Sequence, residues 1–401
     1  ARPLSVKEAN RLIEICKLLN WERDINAYLL AGWCVIAPVC GALRWRPHIW
    51  ITGGAGTGKS WTFKEIVRRV LGSTCLAVQS ETSEAGLRQM IGNDAIPVVF
   101  DEAEGENRAA LERMEQVLAL MRAASSADGG VLAKGTSTGG GRTFTVRSCF
   151  AFASINNPVS LQSDRTRITN LVMVRLEDDA LRDSRWGALQ NLCATTLTDT
   201  FVAGLQARTV GLLPRILRNV EVFTAAAAAH LGDQRIGDQV GAMLAGAFSL
   251  FSDRVIEFDE ASRWVNDKDW SEERVLETAR DELALLALLM DKPIRVDGLE
   301  GAPVDRNCGE LVRVAAQFEA DGRILVTQAQ ERLKRAGMKI DGDFLAISQE
   351  SQTIRGWLRD TAWSKNFHKT LLRLPGAKVL PPTRFAGIQS RAIGVPLSLL
   401  K

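Results

Sequence analysis

The chain has little from which to build a metal centre or a disulfide framework. Its three histidines, His48, His230 and His368, stand far apart and make no ligand pattern. Its seven cysteines, Cys16, Cys34, Cys40, Cys75, Cys149, Cys193 and Cys308, occur singly, mostly inside apolar segments. No CxxC pair is among them, so reduced core thiols are expected. No segment at the start has the layout of a secretory signal. No apolar run approaches the roughly 20 residues of a membrane span. The longest, Ala225–Ala229 and Leu283–Met290, fall well short. No membrane partner is expected, and the expected location is cytoplasmic. Internal repeats and low-complexity linkers are also lacking. The chain starts at Ala1 without a Met, which leaves open a clipped product or a fragment of something longer.

What is there is the composition of a globular protein, 46% hydrophobic and 24% charged. A length of 401 residues allows two or three domains. The net charge of +3 conceals an asymmetry. From Arg323 to Lys401 there are 14 Lys/Arg against 5 Asp/Glu, a balance of +9 that leaves −6 on the rest. A basic C-terminal module on a mildly acidic body points weakly to nucleic acid, with a merely solvated basic surface as the competing reading.

The most informative stretch is Gly53-Gly54-Ala55-Gly56-Thr57-Gly58-Lys59-Ser60. The apolar run Ile49-Trp50-Ile51 precedes it, and Trp61–Val67 reads as a helix after it. This is a complete phosphate-binding loop in its strand–loop–helix setting. Glycines let backbone N–H groups turn in around phosphate oxygens, and the helix N-terminus adds positive potential. Lys59 is expected to reach the β- and γ-phosphates, and the Ser60 hydroxyl to bind Mg²⁺. The ligand expected is therefore ATP with Mg²⁺.

Further β-rich runs, Thr74–Gln79, Ile96–Asp101, Cys149–Ser154 and Leu171–Leu176, join His48–Thr52 and alternate with helical segments. The alternation predicts an α/β fold with a five-stranded parallel sheet. Residues 1–46 read as N-terminal helices, with Ser5 opening a capping-box-like start. Residues 47–182 read as the P-loop ATPase core. Residues 183–292 read as a helical lid region punctuated by Pro214 and Pro293, and residues 293–401 as a small mixed domain resembling a winged helix.

The run Ile96–Glu102 delivers an acidic pair to a strand's C-terminal end, about 40 residues after the loop. Asp101 is expected to organise Mg²⁺ and its waters, and Glu102 to polarise the attacking water. The strand Cys149–Ser154 leads to Asn156, an amide placed to position that water; Asn157 precedes Pro158 and is biased to an extended turn. Arg165 and Arg167 follow, each a candidate to stabilise transition-state charge on a neighbouring subunit's nucleotide. From Ala127 to Val146, β-like arms surround a glycine-rich tip flanked by Lys134 and Arg142. Such a basic hairpin is placed to hold a phosphate backbone.

In this order the motifs resemble the AAA+ helicase module of phage and plasmid primase-helicases, a superfamily-3-like group. The resemblance rests on Trp45–Trp50, Ser83–Gln89, Phe100–Glu104, the Ala124–Thr136 arm and Phe152–Asn156. More loosely it extends to Arg235–Gln239 and Arg384–Gly387. It implies a homo-oligomeric ring, a hexamer in the family, translocating on single-stranded DNA in phage or mobile-element replication, with arginine fingers acting in trans. It also implies a lid-borne nucleotide sensor, for which Arg235 and Arg215 are candidates. A primase module on the same or another chain would be a partner, although no primase signature is present here. A protein remodeller or loader, kept open by Phe144, and an ATP-dependent origin-binding switch are the alternatives. The acidic Glu102 favours turnover over a switch.

Overall fold

The architecture comes from a computed structural model. It is described here for all residues except 80, 102, 104–107, 127–131, 136–140, 156–163, 165, 272, 274–280, 299–302, 360, 362, 365 and 401. The side chains of residues 108, 132–135, 141–142 and 281 also lie outside the description. The chain forms two compact units, Ala1–Glu277 and Thr278–Lys401.

In the first unit the strands are β1 (His48–Gly53), β2 (Leu76–Val78), β3 (Val98–Phe100), β4 (Leu132–Gly135), β5 (Gly141–Phe144), β6 (Phe150–Ala153) and β7 (Ile168–Met173). Five of them make a parallel sheet in the order β2-β3-β6-β1-β7. β4 and β5 pair separately as an antiparallel hairpin. Successive side chains of a strand point to opposite faces, and both faces are apolar. Ile49 and Ile51 enter a core shared with the N-terminal and later helices, whereas Trp50 enters a second core with Phe100, Phe150 and Phe152. Trp50 stacks on Phe152 at 4.7 Å between ring centroids and donates its indole N–H to Ser154 Oγ at 2.7 Å. A sheet covered on both sides is the expected home of parallel strands.

The N-terminal helices are Val6–Ala9, Arg11–Leu18 and Ile25–Ile36, the last continued by a 3-10 turn over Ala37–Ala42. A capping box opens the first: Ser5 N–H donates to Glu8 Oε2 at 2.7 Å, and Glu8 N–H to Ser5 Oγ at 3.4 Å. The stretch Ile25–Ala42 corrects the sequence reading of apolar runs, because by length and composition it could cross a membrane. Within the unit it is a core element, 72% buried. A Cβ on Gly32 would lie 1.8 Å from the Met243 carbonyl oxygen, so only glycine allows the helix Gln234–Phe248 to pack this close.

After β7 come the helices Asp179–Thr196, Asp199–Leu231, Gln234–Phe248 and Phe258–Asn266. Pro214 lies inside the second of these and does not end it. Its missing N–H would have bonded to the Val210 carbonyl. Val210 is 62% exposed, so water can take that carbonyl instead. β7 also begins three residues before the expected Leu171. Its polar start is satisfied by other elements: Thr169 Oγ1 accepts from Gln239 Nε2 at 3.3 Å, and Thr52 Oγ1 donates to Asn170 Oδ1 at 3.0 Å.

The second unit begins at Thr278, so residues 278–292, expected in the helical lid, fall within it. The helix Asp281–Met290 buries Leu285, Leu286 and Leu289 in that unit's core. There follow a hairpin of β8 (Pro293–Asp297) and β9 (Pro303–Asn307), and the helices Cys308–Ala315 and Val326–Ala336. Next come β10 (Met338–Asp341) and β11 (Phe344–Ser348), giving the element order of a winged helix. Two short helices and the strands β12 (Lys378–Phe385) and β13 (Ile388–Pro396) extend the sheet to the order β10-β11-β13-β12.

Candidate active site

The phosphate loop leaves the C-terminal end of β1, and the helix Lys59–Thr62 follows directly. Gly56 and Gly58 adopt φ values of 77° and 94°, the left-handed backbone that other residues avoid. The Lys59 ammonium folds back over the loop, donating to the carbonyl oxygens of Gly53 at 2.6 Å and Gly54 at 2.9 Å. Ser60 is exposed at the first turn of the helix. A wider turn over Phe63–Val67 interrupts the helix one turn on, a feature frequent near functional sites.

Because β6 lies between β1 and β3, its tip sits between the loop and the acidic pair. Asp101 directly follows β3, half-buried, with its N–H donating to the Val78 carbonyl at 3.2 Å. Ser154 closes β6, its N–H donating to the Ile51 carbonyl at 3.2 Å. Lys59, Ser60 and Asp101 therefore share the C-terminal edge of the sheet, where ligands bind in open α/β folds. The hydroxyl and carboxylate are a donor set suited to Mg²⁺, a hard cation that takes oxygen ligands. Glu102, Asn156 and Arg165 lie outside the described residues. No group of three or more His, Cys, Asp or Glu side chains gathers as a metal cluster among the described residues.

Arg167 stands at the other end of the sheet, one residue before β7. Its N–H donates to the Asp164 carbonyl at 2.9 Å, and its guanidinium lies 6.0 Å from the Trp45 ring centroid. Asp164 is buried and accepts from Arg122 Nη1 through both carboxylate oxygens at 2.6 Å. Burial, and the nearby charges of Arg235 and Arg122, lower the Arg167 pKa, while Asp164 acts the other way.

Arg235 belongs to this same end. Its Nη1 donates to Thr166 Oγ1 at 3.5 Å. One turn later on the same helix, Gln239 donates to the carbonyl of His48, the first residue of β1, at 2.6 Å. Along β1 that start is about 16 Å from the loop. Arg235 thus sits away from its own chain's phosphate loop, not beside it as a lid-borne sensor would. Arg215, the other candidate, donates to the Asp253 carbonyl at 3.2 Å from an exposed position within a long helix.

The hairpin is present, with Lys134 paired directly opposite Arg142. Its base is anchored: Thr145 N–H donates to Asn93 Oδ1 at 3.1 Å, and the Arg88 guanidinium lies over the Phe144 ring at 4.6 Å. Half-buried under Arg88, Phe144 does not project as a threading aromatic would.

Sequence reading missed a cavity of about 410 Å³ beside the loop. Asn20, Gly58, Trp61, Met173 and Trp186 are among its walls. Trp61 and Trp186 lie 4.7 Å apart, with their rings inclined by 59°. These residues come from distant segments, and no spacing in the chain links them; Trp61, next to the loop, was the one available signal.

No protein-family model matches the chain, and no curated protein matches it in sequence. Among solved structures it is similar to an SCCmec type IV Cch active helicase, with a TM-score of 0.52 and 12% identity over 100% of this chain and 72% of that one. A second is the apo A form of the NrS-1 C-terminal region, with a TM-score of 0.32 and 12% identity over 98% of this chain and 77% of that one. The first likeness is one of fold: a helicase-like P-loop α/β core with helical and small-sheet additions.

Proposed function

We propose that the chain is an ATPase that drives movement along single-stranded DNA, as a AAA+ helicase of the superfamily-3-like kind. In this reading it works as a homo-oligomeric ring, a hexamer, in phage or mobile-element replication inside a bacterial cell. A primase module on the same or another chain would be its partner. The observation that carries the reading is the shared sheet edge of Lys59, Ser60 and Asp101, with the tip of β6 between loop and acid.

Lys59 would leave the Gly53 and Gly54 carbonyls to meet phosphate oxygens, exchanging neutral acceptors for charged ones. Ser60 and Asp101 would hold Mg²⁺, which supplies charge neutralisation at the phosphates. Glu102 would take the proton of the attacking water, and Asn156 would orient that water. Arg165 or Arg167 would reach the nucleotide of the next subunit. Lys134 and Arg142 would contact the DNA backbone. The position of Phe144 beneath Arg88 favours DNA over a threaded polypeptide. ATP hydrolysis measured with and without single-stranded DNA tests the whole reading. Stimulation by DNA supports it, and a basal rate indifferent to DNA but raised by unfolded protein would favour a remodeller.

A further inference from the structure

We propose that the cavity beside the phosphate loop receives the nucleotide base, and that Asn20 makes the site select adenine over 6-oxopurines. The inference rests on the nucleotide reading above and adds which base is taken and by what.

The cavity adjoins the loop itself, because Gly56, Thr57 and Gly58 form one side of it. Trp186 reaches over the loop: a Cβ built on Gly58 would lie 3.7 Å from its ring. Together with Trp61 it offers an aromatic surface of the kind on which bases stack. Stacking tolerates any base, since every base has a π-face. Selection therefore has to come from polar atoms.

Two polar atoms near this wall are uncommitted. Asn20 Oδ1 is shut off from solvent with no hydrogen-bond partner, and so is Arg185 Nε. Buried polar atoms without partners are uncommon and are themselves a signal. The backbone around Asn20 is fixed: Val174 N–H donates to the Asn20 carbonyl and Glu22 N–H to the Val172 carbonyl, each at 2.9 Å. The remaining guanidinium contacts of the wall are occupied. Arg185 Nη2 donates to the carbonyls of Lys17 at 3.0 Å and Leu18 at 3.3 Å, and Arg182 Nη1 to that of Leu176 at 3.4 Å.

What is left is an acceptor on Asn20 and a donor on Arg185. Adenine presents the complement, an N6 amino donor beside a ring-nitrogen acceptor, whereas guanine and hypoxanthine present O6 there, a second acceptor. A 6-oxopurine would set oxygen against the Asn20 oxygen, leaving the buried acceptor unpaired.

The test uses the full chain and calorimetric titration with ATP, ITP and inorganic tripolyphosphate. ITP differs from ATP in the 6-substituent, and tripolyphosphate probes the loop alone. ATP is expected to bind about tenfold more tightly than ITP. Asn20→Leu should weaken ATP until the ratio is near one and leave tripolyphosphate unchanged, which also shows that the fold is intact. Asn20→Asp, which keeps an acceptor, should keep the preference. Equal ATP and ITP affinities in the unaltered chain, or an unchanged ratio in Asn20→Leu, with tripolyphosphate still bound, overturns base selection by Asn20. If none of the three ligands binds, the nucleotide reading falls and this inference with it.

Discussion

Arg235 hydrogen-bonds to Thr166 Oγ1 at 3.5 Å, and so joins Arg167 at the end of the sheet opposite the phosphate loop. Two guanidinium groups brought together there repel one another, and Arg235 is among the charges that lower the Arg167 pKa. A neighbouring subunit's phosphates would relieve that repulsion. A sensor on its own chain's nucleotide could not work from this position. We therefore expect Arg167→Ala and Arg235→Ala to bind ATP normally and to hydrolyse it slowly. A trans arginine is worth about 10³–10⁵ in rate where it operates. Mixing either variant with Glu102→Gln, which supplies intact arginines but lacks its own water activator, should restore turnover. Failure of Arg235→Ala to be rescued while Arg167→Ala is rescued would return Arg235 to a role within its own subunit.

The loop lysine and the acidic pair should separate binding from chemistry. Lys59 would pair with phosphate charge already present in the ground state, whereas Glu102 would act on the attacking water. Lys59→Ala should lose both nucleotide binding and hydrolysis. Glu102→Gln should lose hydrolysis and keep binding. Equilibrium binding of a fluorescent ATP analogue checks this, and equal loss of affinity in the two variants would refute the division of roles.

The parts of this site legible in the sequence are those that are contiguous in it. Gly53–Ser60 and the acidic end of β3 each lie within a few residues, and their strand context can be read from local apolar runs. Distant partners hid the rest. The start of β7 looks too polar for a strand until Gln239 and Thr52 are seen to satisfy Thr169 and Asn170. Pro214 reads as a helix end because the exposure of the preceding turn is a tertiary property. Arg235 has the look of a sensor in its local motif; only the bond from Gln239 to His48 shows which end of the sheet it occupies. Asn20 and Trp186 meet the loop from segments far apart in the chain, so no local pattern announces the cavity.

Stability of the first unit should depend on a buried ion pair. Arg23 donates to Glu273 through two contacts of 2.5 and 3.1 Å, and the side chains are only 4% and 6% exposed. Removing one partner strands the other charge in the interior. Glu273→Ala should destabilise the unit by about 3–5 kcal/mol. The double substitution Arg23→Met, Glu273→Leu should cost much less, since it leaves no orphan charge. Denaturant unfolding followed by tryptophan fluorescence distinguishes the two, and a double variant as unstable as the single one would count against the argument.

His48 should make the first unit acid-sensitive. Its ring is fully buried: Nδ1 accepts from Phe150 N–H at 3.0 Å, and Nε2 lies 3.1 Å from Ser125 Oγ. Burial, reinforced by the Arg46 and Arg167 charges, pushes its pKa down to about 3. The unfolded chain, with an ordinary histidine pKa of about 6.5, binds the proton more readily. The neutral ring therefore contributes its full stability above about pH 6.5 and loses it as the pH falls toward 3, by at most about 1.4 kcal/mol per pH unit. His48→Asn keeps an acceptor for Phe150 and cannot be protonated in this range. Its unfolding midpoint should fall less steeply between pH 7 and pH 4.5 than that of the unaltered chain. Parallel curves would mean that other groups set the acid limit.

Lys134 and Arg142 pair directly across the β4–β5 hairpin, whose base is held by Asn93 and Arg88. Two cations on adjacent strands at a directly opposed position are unfavourable alone and suit a run of phosphates. Contacts of this kind release counterions, with a log–log salt slope of about −0.7 per phosphate on single strands. Lys134→Ala should weaken single-stranded DNA binding similarly on unrelated sequences and make the slope shallower by about that amount. It should reduce the DNA-stimulated ATPase and spare the basal rate, because the loop and Asp101 are untouched. The basic second unit is an independent candidate for DNA contact, so a chain ending at residue 322 is the necessary control. A Lys134→Ala, Arg142→Ala chain with unchanged affinity and salt slope, beside a truncated chain that no longer binds, would move the DNA contact from the hairpin to the second unit.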